Sequence, residues 1–275
     1  MTSAKEIEVR PINKRDADAL IRAVHYSGKV VRNSQLSLGV FLHDRLEGAM
    51  QFGPSLDKSH MLGLVRDTRW NGFLELNRMA FTDVLPRNSE SRALGIAMRM
   101  IRKHYPHIEW IVSFADACQC GDGTIYRAAG FALTLIKVNK DVMIFADGSV
   151  GHKMSQVTGG NRLQHFAATG GKWSGIGTAL EGHTIRYVYF LNPAARARLN
   201  AEELPYSAIE ARGASMYRGV RGKQAMAGTN QHSDGAAPIP TLQRSERKEN
   251  ETRQASDPDA SETASRQSRP AQAAR

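Results

Sequence analysis

The fold is decided by the stretch LELNRMAFTDVLPRNSESRALGIAMRMIRKHY, Leu74–Tyr105. Leu74–Phe81 predicts a strand, and Pro86–Ser91 is a turn in which Asn88 or Ser89 can cap the helix that follows. The apolar residues of this helix recur at spacings of three and four and form one buried stripe: Leu94, Ala97, Met98, Ile101 and Tyr105. A strand, a turn and the free N–H groups of a helix N-terminus together favour an anion at this point.

Strand and helix signals alternate on both sides of this stretch. Apolar runs and period-two patterns predict strands at Ile7–Pro11, Leu36–Phe41, Leu46–Phe52, Trp110–Ala115, Leu133–Val138 and Val142–Phe145, the last two as a pair. Helical periodicity predicts helices at Arg15–Val24 and Gly123–Ala129. The order predicts an α/β fold in which helices flank both faces of a mixed sheet.

Composition limits the class of protein. The 275 residues are 41% hydrophobic, enough for one sizeable domain or two small ones. No run of 18 apolar residues occurs and the N-terminus lacks an apolar signal stretch, so we expect a protein of the cytoplasm, in a host cell, with no membrane partner. The two cysteines, Cys118 and Cys120, are one residue apart, which favours free thiols over a disulfide or a zinc site.

Positive charge is concentrated in the first 200 residues. The net charge is +10; residues 1–200 carry 26 Lys and Arg against 17 Asp and Glu, whereas residues 201–275 carry 11 against 10. A basic folded surface attracts polyanions, above all nucleic acid. The residues from Lys223 to Arg275 are poor in large apolar side chains, which predicts a disordered tail. We therefore expect a folded domain at 1–200, an extension at 201–222 and a tail at 223–275.

The predicted order of elements resembles the GCN5-related N-acetyltransferase (GNAT) fold. The sequence YRAAGF at Tyr126–Phe131 looks like the late Tyr-x-x-x-Gly-Phe element of that fold. The turn before the long helix lies where that fold holds the pyrophosphate of coenzyme A, which implies the donor-binding candidates Arg78, Arg87, Asn88 and Ser89. The usual loop carries two small residues, mostly glycines, where this chain has other side chains, and Glu90 adds a carboxylate, so a pyrophosphate is disfavoured.

A second resemblance is more specific. Seven short motifs in chain order resemble the Mom family of bacteriophage DNA modification proteins: His25-Tyr26-Ser27, Leu38–Phe41, Glu75–Met79, Pro86–Ala93, Ser113–Asp116, Arg186-Tyr187 and Phe190–Asn192. The resemblance covers roughly residues 20–200. It implies an acyltransferase-like enzyme that converts adenine in DNA to N6-carbamoylmethyladenine and so protects phage DNA from host restriction.

The resemblance also implies the catalytic set His25, Tyr26, Asp116 and Tyr126, and an iron ion held by the same four residues. Asp116 follows a predicted buried strand, where ligands of open α/β sheets gather, and a carboxylate there can orient or deprotonate an adenine amine. Structural interpretations stay open: Asp116 can cap its loop, Tyr126 can pack its helix, and His25 can cap the end of its helix.

Substrate contacts are expected from polar and basic side chains. The substrate-binding candidates are Asn77, Ser113, Arg92, Arg196 and Arg198, and further basic candidates for DNA are Arg87, Arg99, Arg102 and Lys103. The adenine amine is paired in a duplex, so the base must be flipped out or caught single-stranded. An aromatic ring such as Tyr26 or Trp70 can then stack on it.

The acyl donor has two candidates, acetyl-coenzyme A and glycyl-tRNA, and the second would make transfer RNA a partner. Acetyl transfer alone would give N6-acetyladenine, which differs from the product of the family. Glycyl transfer to N6, followed by attack of the glycyl amine on C6, balances the atoms of that product without oxidation.

Two other functions stay open at this stage. One is an N-acetyltransferase that acts on a protein or a small-molecule amine, and it predicts coenzyme A binding without a need for DNA. The other is a non-catalytic DNA-binding protein on the same scaffold. No pattern fixes the oligomeric state, and a dimer stays open.

Overall fold

The computed structural model describes residues 3–146, 148–153, 177–217 and 219–221. The strands are β1 Glu8–Pro11, β2 Leu36–Leu42, β3 Arg45–Gly53, β4 Phe73–Phe81, β5 Trp110–Ala117, β6 Ala132–Val138, β7 Val142–Phe145, β8 Val150–His152, β9 Gly177–Ala179, β10 His183–Phe190, β11 Met216–Tyr217 and β12 Val220–Arg221. The α-helices are α1 Lys14–Val24, α2 Lys58–Leu62, α3 Ser89–His104, α4 Thr124–Ala128 and α5 Ser207–Ala211. Short 3-10 turns lie at Ala4–Glu6 and Pro193–Arg198.

Seven strands form the main sheet, in the order β1-β2-β3-β4-β5-β10-β6. The β4–β5 pair is parallel and the other pairs are antiparallel. Every strand and helix that the sequence predicted is present, with ends that differ by one or two residues. This mixed sheet with its helices confirms the predicted α/β, GNAT-like class of fold.

The interior strand β10 was not among the predicted strands. It lies between β5 and β6, and its residues Ile185, Tyr187 and Val188 are fully buried. The prediction that β6 and β7 form a final pair is therefore wrong, because β6 pairs with β10 and β7 belongs to a separate sheet of order β8-β7-β9. A strand rich in β-branched and aromatic residues inserts between β5 and the edge strand β6 and replaces the local pairing of β6 with β7.

The sheet opens between β4 and β5. Among the described residues, the two strands pair over three positions, Phe73 with Trp110, Leu74 with Ile111 and Glu75 with Val112. Beyond these positions β4 continues along β3 to Phe81, and β5 continues along β10 to Ala117. Here β4 is still paired with β3, and β5 with β10, but β4 and β5 are no longer paired with each other. A gap therefore forms between β4 and β5 on the Asp116 side of the sheet.

The long helix α3 packs over the sheet through most of its predicted stripe. Leu94, Ala97, Met98 and Ile101 are at most 1% exposed. Tyr105 was predicted in this stripe but is 41% exposed, because the helix ends at His104 and the Tyr105 backbone leaves the helical conformation. The predicted burial of the fifth strand on both faces is likewise interrupted by an exposed Phe114.

The described residues after position 200 pack onto the main core. Ile209, Ala214 and Met216 join the same buried cluster as α3 and β5. The tail predicted at 223–275 lies outside the described residues. None of the helices in the described ranges is long and apolar enough to cross a membrane.

Candidate active site

Asp116 and Tyr26 meet at the carboxyl end of β5. The Tyr26 hydroxyl donates a hydrogen bond to Asp116 Oδ2 over 3.1 Å, across 90 positions of sequence. Asp116 is the second-last residue of β5, and Tyr26 follows the residue that ends α1. Two residues of the predicted catalytic set are thus brought into contact.

The Asp116 carboxylate is oriented by the loop that follows it. The backbone N–H of Cys118 donates to Oδ1 at 2.9 Å, and Nε2 of Gln119 donates to Oδ2 at 2.8 Å. The Asp116 carbonyl accepts from the N–H groups of Cys120 and Gly121. Asp116 therefore organises its loop, as the structural interpretation held, and it also faces Tyr26.

His25 lies beside Tyr26 as a neutral imidazole. Its backbone N–H ends α1 by bonding Ile21, while its ring stacks on Tyr26 with centroids 4.3 Å apart. Burial, then the charge of Arg78, lowers the His25 pKa to about 4, although Asp116 raises it in part. The Ser27 N–H donates to Nδ1 over 3.1 Å, so the ring proton of the neutral form is on Nε2.

Tyr26 keeps its proton but exposes its ring. Burial of the hydroxyl and the nearby Asp116 charge raise the Tyr26 pKa well above its ordinary value. The residue as a whole is nevertheless 52% exposed. The site therefore offers an aromatic face to solvent beside a carboxylate that the same residue helps to hold.

Tyr126 lines the deeper side of the same region. Its ring packs against Phe131 and Tyr187 at centroid distances of 5.4 and 5.2 Å. Gly123, with φ +85°, precedes α4, and any larger residue there would collide with the Tyr187 ring. Burial raises the Tyr126 pKa to about 12. Ser113 lies beside it, and its buried Oγ has no hydrogen-bond partner among the described residues. Tyr126 is therefore a protonated phenol next to a buried hydroxyl.

Cys120 connects these two groups electrostatically. A negative charge on its thiol would raise the pKa of Tyr26 and of Tyr126, so it lies within range of both. Burial, then Asp116, raises the pKa of the Cys120 thiol itself. Cys120 and Cys118 are both free thiols, as predicted. The structure thus gathers all four predicted catalytic residues at one end of β5, with Tyr126 outside the direct Tyr26–Asp116 contact.

The predicted donor loop leaves buried polar atoms unused. Asn88 precedes α3 with a left-handed φ of 70° and makes no side-chain cap, contrary to the capping expectation for it. Ser89 is fully buried, and among the described residues its Oγ and the Oδ1 of Asn77 have no hydrogen-bond partner. Arg87 is exposed. Buried atoms without partners are costly and indicate positions where a ligand can bind.

Arg78 lies on the His25 side of the site. Its guanidinium donates to the main-chain carbonyls of Lys29 at 3.0 Å and Asn77 at 2.7 Å. Its charge lowers the pKa of both His25 and Tyr26. Arg78 therefore acts electrostatically on the proposed catalytic residues.

Three predicted contacts lie away from Asp116. Arg196 and Arg198 follow the Phe190 end of β10, which pairs with Trp110, about 20 Å along the sheet from Asp116. Arg196 pairs with Glu203, and Arg198 pairs with Glu109 at 2.6 Å. Trp70, 56% exposed, precedes β4 at this same end. Of the two rings expected to stack on a base, Tyr26 alone lies at the site.

The four residues do not fit the implied iron ion as they are arranged. The Nδ1 of His25 accepts the Ser27 N–H and Nε2 bears the proton, so the ring has no free lone pair. The Tyr26 hydroxyl donates its proton to Asp116 Oδ2, so these two groups are already used on each other. Within the described residues no group of three His, Cys, Asp or Glu side chains could hold a metal ion.

Sequence reasoning missed two residues at the site. Gln119 orients Asp116, and no pattern in the sequence pointed to it. Glu75 lies on β4 within electrostatic range of Tyr126, and burial raises its pKa. An acidic residue between Leu74 and Leu76, in a predicted strand, was a signal that could have found it.

The parallel β4–β5 pair within an otherwise antiparallel sheet, flanked by helices, is the arrangement expected for the GNAT-like class of fold. Similar solved structures include the IAA acetyltransferase from Bacillus cereus, at 11% identity and a TM-score of 0.39, covering 67% of this chain and 99% of that one. The ribosomal-protein-S18-alanine N-acetyltransferase from Escherichia coli is 12% identical with a TM-score of 0.38, covering 73% and 99%.

The family follows from the sequence comparisons. The model of the Mom protein family matches residues 6–208. The methylcarbamoylase Mom of Escherichia phage Mu is 36% identical over 203 residues, which are 72% of this chain and 81% of that protein. This chain belongs to the Mom protein family, as its motifs indicated.

Proposed function

We propose that this chain modifies DNA, converting adenine to N6-carbamoylmethyladenine with an activated acyl donor. Its membership of the Mom family, with a methylcarbamoylase among its relatives, supports this function. The observation that carries the proposal is the hydrogen bond between Tyr26 and Asp116. It places a half-exposed aromatic ring and an oriented carboxylate side by side, as recognition of an exocyclic amine requires.

Tyr26 and Asp116 divide the recognition of adenine between them. An extruded or single-stranded base stacks on the exposed face of the Tyr26 ring. The Asp116 carboxylate accepts a hydrogen bond from the N6 amine and takes its proton as the new bond forms. His25 stacks on the Tyr26 ring. The imidazole stays neutral at neutral pH because its pKa is about 4.

Tyr126 serves the leaving group of the donor. Its phenol is protonated at neutral pH, since burial raises its pKa to about 12. It lies on the deep side of the gap between β4 and β5, beside Ser113. A phenol in this position can give its proton to the oxygen or sulfur that departs when the acyl group is transferred.

The donor binds in the gap between β4 and β5. Ser113 Oγ and Ser89 Oγ, both buried without a hydrogen-bond partner among the described residues, can donate or accept hydrogen bonds to it. With glycyl-tRNA, N6 first attacks the glycyl carbonyl and the ribose oxygen leaves. The glycyl amine then attacks C6, the C6–N6 bond breaks, and N6 becomes the carboxamide nitrogen, so the atoms balance without oxidation. With acetyl-coenzyme A, later chemistry would have to add nitrogen, remove two electrons and change which carbon is bonded to the adenine amine, so acetyl transfer alone does not give the product.

Nucleoside mass spectrometry tests the function. DNA from cells that express the full chain should contain N6-carbamoylmethyladenine, whereas DNA from cells expressing Asp116→Asn should not. Growth on ¹⁵N-glycine separates the donors: the glycyl route places the label on the nitrogen attached to the ring, and label in the carboxamide excludes that route. DNA binding without any modified adenine would instead support a non-catalytic DNA-binding protein.

A further inference from the structure

Three hydrogen bonds to the Asp116 carboxylate leave room for one more. A carboxylate has about four lone-pair positions on its two oxygens. Oδ2 accepts from the Tyr26 hydroxyl at 3.1 Å and from Gln119 Nε2 at 2.8 Å, whereas Oδ1 accepts from the Cys118 N–H at 2.9 Å. Within the described ranges these three donors leave an acceptor position on Oδ1 for a ligand.

Gln119 is fixed beside this carboxylate and keeps a donor of its own. The side-chain amide of a glutamine carries two N–H donors and one carbonyl acceptor. One N–H is used on Asp116 Oδ2, and this amide makes no second hydrogen bond in the described part of the chain. The side chain is half-buried, so its outer part faces solvent. The second N–H of Gln119 is therefore available to a ligand that reaches Asp116.

Asp116 and Gln119 together present an acceptor next to a donor, and the edge of adenine is complementary to this pair. The N6 amine of adenine donates, while the ring nitrogens on its two sides, N1 and N7, accept. Guanine and thymine carry an oxygen where adenine carries the amine, so they would place an acceptor against the carboxylate. A base stacked on the exposed Tyr26 ring can bring its edge to the pair, because the Tyr26 hydroxyl is bonded to the same carboxylate.

We propose that Gln119 is a specificity-determining residue: its second N–H donates to the ring nitrogen beside the adenine amine, while Asp116 Oδ1 accepts from the amine itself. This rests on the proposed function, because it names the residue that recognises the base at the same site. The bond to Asp116 already holds the Gln119 amide in place, so little side-chain entropy is lost when the base binds. The carboxylate repels the oxygen of guanine or thymine, which adds discrimination against these bases.

Binding of single-stranded DNA tests the proposal without need of turnover. A thymidine oligonucleotide carries one central adenine, guanine, 1-deazaadenine or 7-deazaadenine; in the last two, C–H replaces N1 or N7. Fluorescence anisotropy measures the Kd of the full chain, at a salt concentration that screens contacts to the phosphates. Wild-type protein should bind adenine about fivefold or more tightly than guanine. One of the deaza analogues should lose about fivefold in affinity, and it identifies the ring nitrogen that accepts from Gln119.

A substitution separates recognition of the base from orientation of Asp116. Gln119→Met keeps the length of the side chain and removes the amide, so adenine and the affected deaza analogue should bind within about twofold of each other. A residue that only positioned Asp116 would leave the loss caused by the analogue unchanged. Gln35 is exposed and lines a cleft with Phe73 at the Trp110 end of the sheet, and Gln35→Met should keep the wild-type loss. Should Gln119→Met fail to fold, Gln119→Asn, whose amide is one carbon shorter, should also reduce it.

Two results would overturn the proposal: equal affinity of wild-type protein for adenine and both deaza analogues, or a loss with the analogue that is as large in Gln119→Met as in wild type. Failure of the proposed function has a different signature, which is absence of modified adenine from the DNA of expressing cells. A preference for adenine that depends on Gln119, without modified adenine, would keep the assignment of Gln119 and reject the reaction.

Discussion

The two ends of β5 differ in whether their polar groups have hydrogen-bond partners within the protein. At the Trp110 end the polar groups have internal partners: the Trp110 Nε1 donates to Thr68 at 3.0 Å, and Glu109 pairs with Arg198. The Phe73 ring stacks on Trp110 with planes 4° apart. At the Asp116 end, about 20 Å away, the buried Oγ of Ser113 has no hydrogen-bond partner among the described residues.

This difference indicates a division of tasks within one strand. Satisfied hydrogen bonds and stacked rings contribute stability, whereas groups left unsatisfied cost stability and are available to a ligand. Substitutions at the Trp110 end should therefore change folding and leave the reaction alone. Substitutions at the Asp116 end should do the reverse.

The largest effect is expected from Asp116→Asn. The amide keeps the shape of the side chain but cannot take the proton of the adenine amine, so the formation of modified adenine should fall about 100- to 10,000-fold. The measurement is nucleoside mass spectrometry on DNA treated with purified protein. The Cys118 N–H can still donate to the remaining Oδ1, and the new amide N–H can donate to the Tyr26 hydroxyl, so circular dichroism should show a folded protein. Full activity in Asp116→Asn would show that Asp116 only organises its loop.

Trp110→Ala should cost about 3–5 kcal/mol of the free energy of unfolding, because it empties the centre of a fully packed cluster. Chemical denaturation measures this loss, and activity per folded molecule should stay within about twofold of wild type. Trp110→Phe is the milder partner: it keeps the stacking on Phe73 and loses the hydrogen bond to Thr68. A large loss of activity in folded Trp110→Phe would show that the two ends are coupled.

The sequence predicted the Trp110 end and the sheet better than the site, for physical reasons. Periodicity reports which face of an element is buried, so α1, α3 and β5 were found nearly to the residue. It does not report which strands become neighbours, so the place of β10 between β5 and β6 was not predictable. Local pairing of β6 with β7 was the simplest expectation, and long-range pairing replaced it.

The site was predictable where a motif carried it. His25, Tyr26, Asp116 and Tyr126 came from the family resemblance, and the structure brings them to one end of β5. Contacts that depend on distances across the fold were not predictable. Arg198, for example, is basic in the sequence but is used in an ion pair.

Two substitutions of Tyr26, at the Asp116 end, distinguish the role of its ring from the role of its hydroxyl. Tyr26→Ala should weaken binding of adenine-containing single-stranded DNA by about 1–3 kcal/mol, the contribution of one base stacked on an aromatic ring. Tyr26→Phe should keep that binding and lower kcat, because Asp116 loses one hydrogen-bond donor. Steady-state kinetics distinguish the two, and an equal rise of KM in both variants would contradict stacking.

Low pH should reduce the free energy of unfolding through the protonation of His25. The folded protein holds the His25 pKa near 4, below its ordinary value of 6.5, so the unfolded chain takes up a proton first as the pH falls. Stability is therefore fully present above about pH 6.5 and declines toward pH 4. Urea unfolding at pH 7.5 and 4.5 should show a smaller difference for His25→Gln than for wild type. The exposed His104 gives the control, since His104→Gln should keep the wild-type difference.

The smallest effect is expected at the Trp110 end from Glu109→Gln. The Glu109–Arg198 pair is 2.6 Å long, and each side chain is about one-fifth exposed, so its loss should cost about 1 kcal/mol or less and should shrink as salt is added. Urea unfolding at low and high salt measures both features. Activity should be unchanged, because the pair lies at the far end of β5 from Asp116. A change in donor preference or in the yield of modified adenine in Glu109→Gln would show that β5 transmits strain between its ends. The separation of stability from reactivity along β5 would then be wrong.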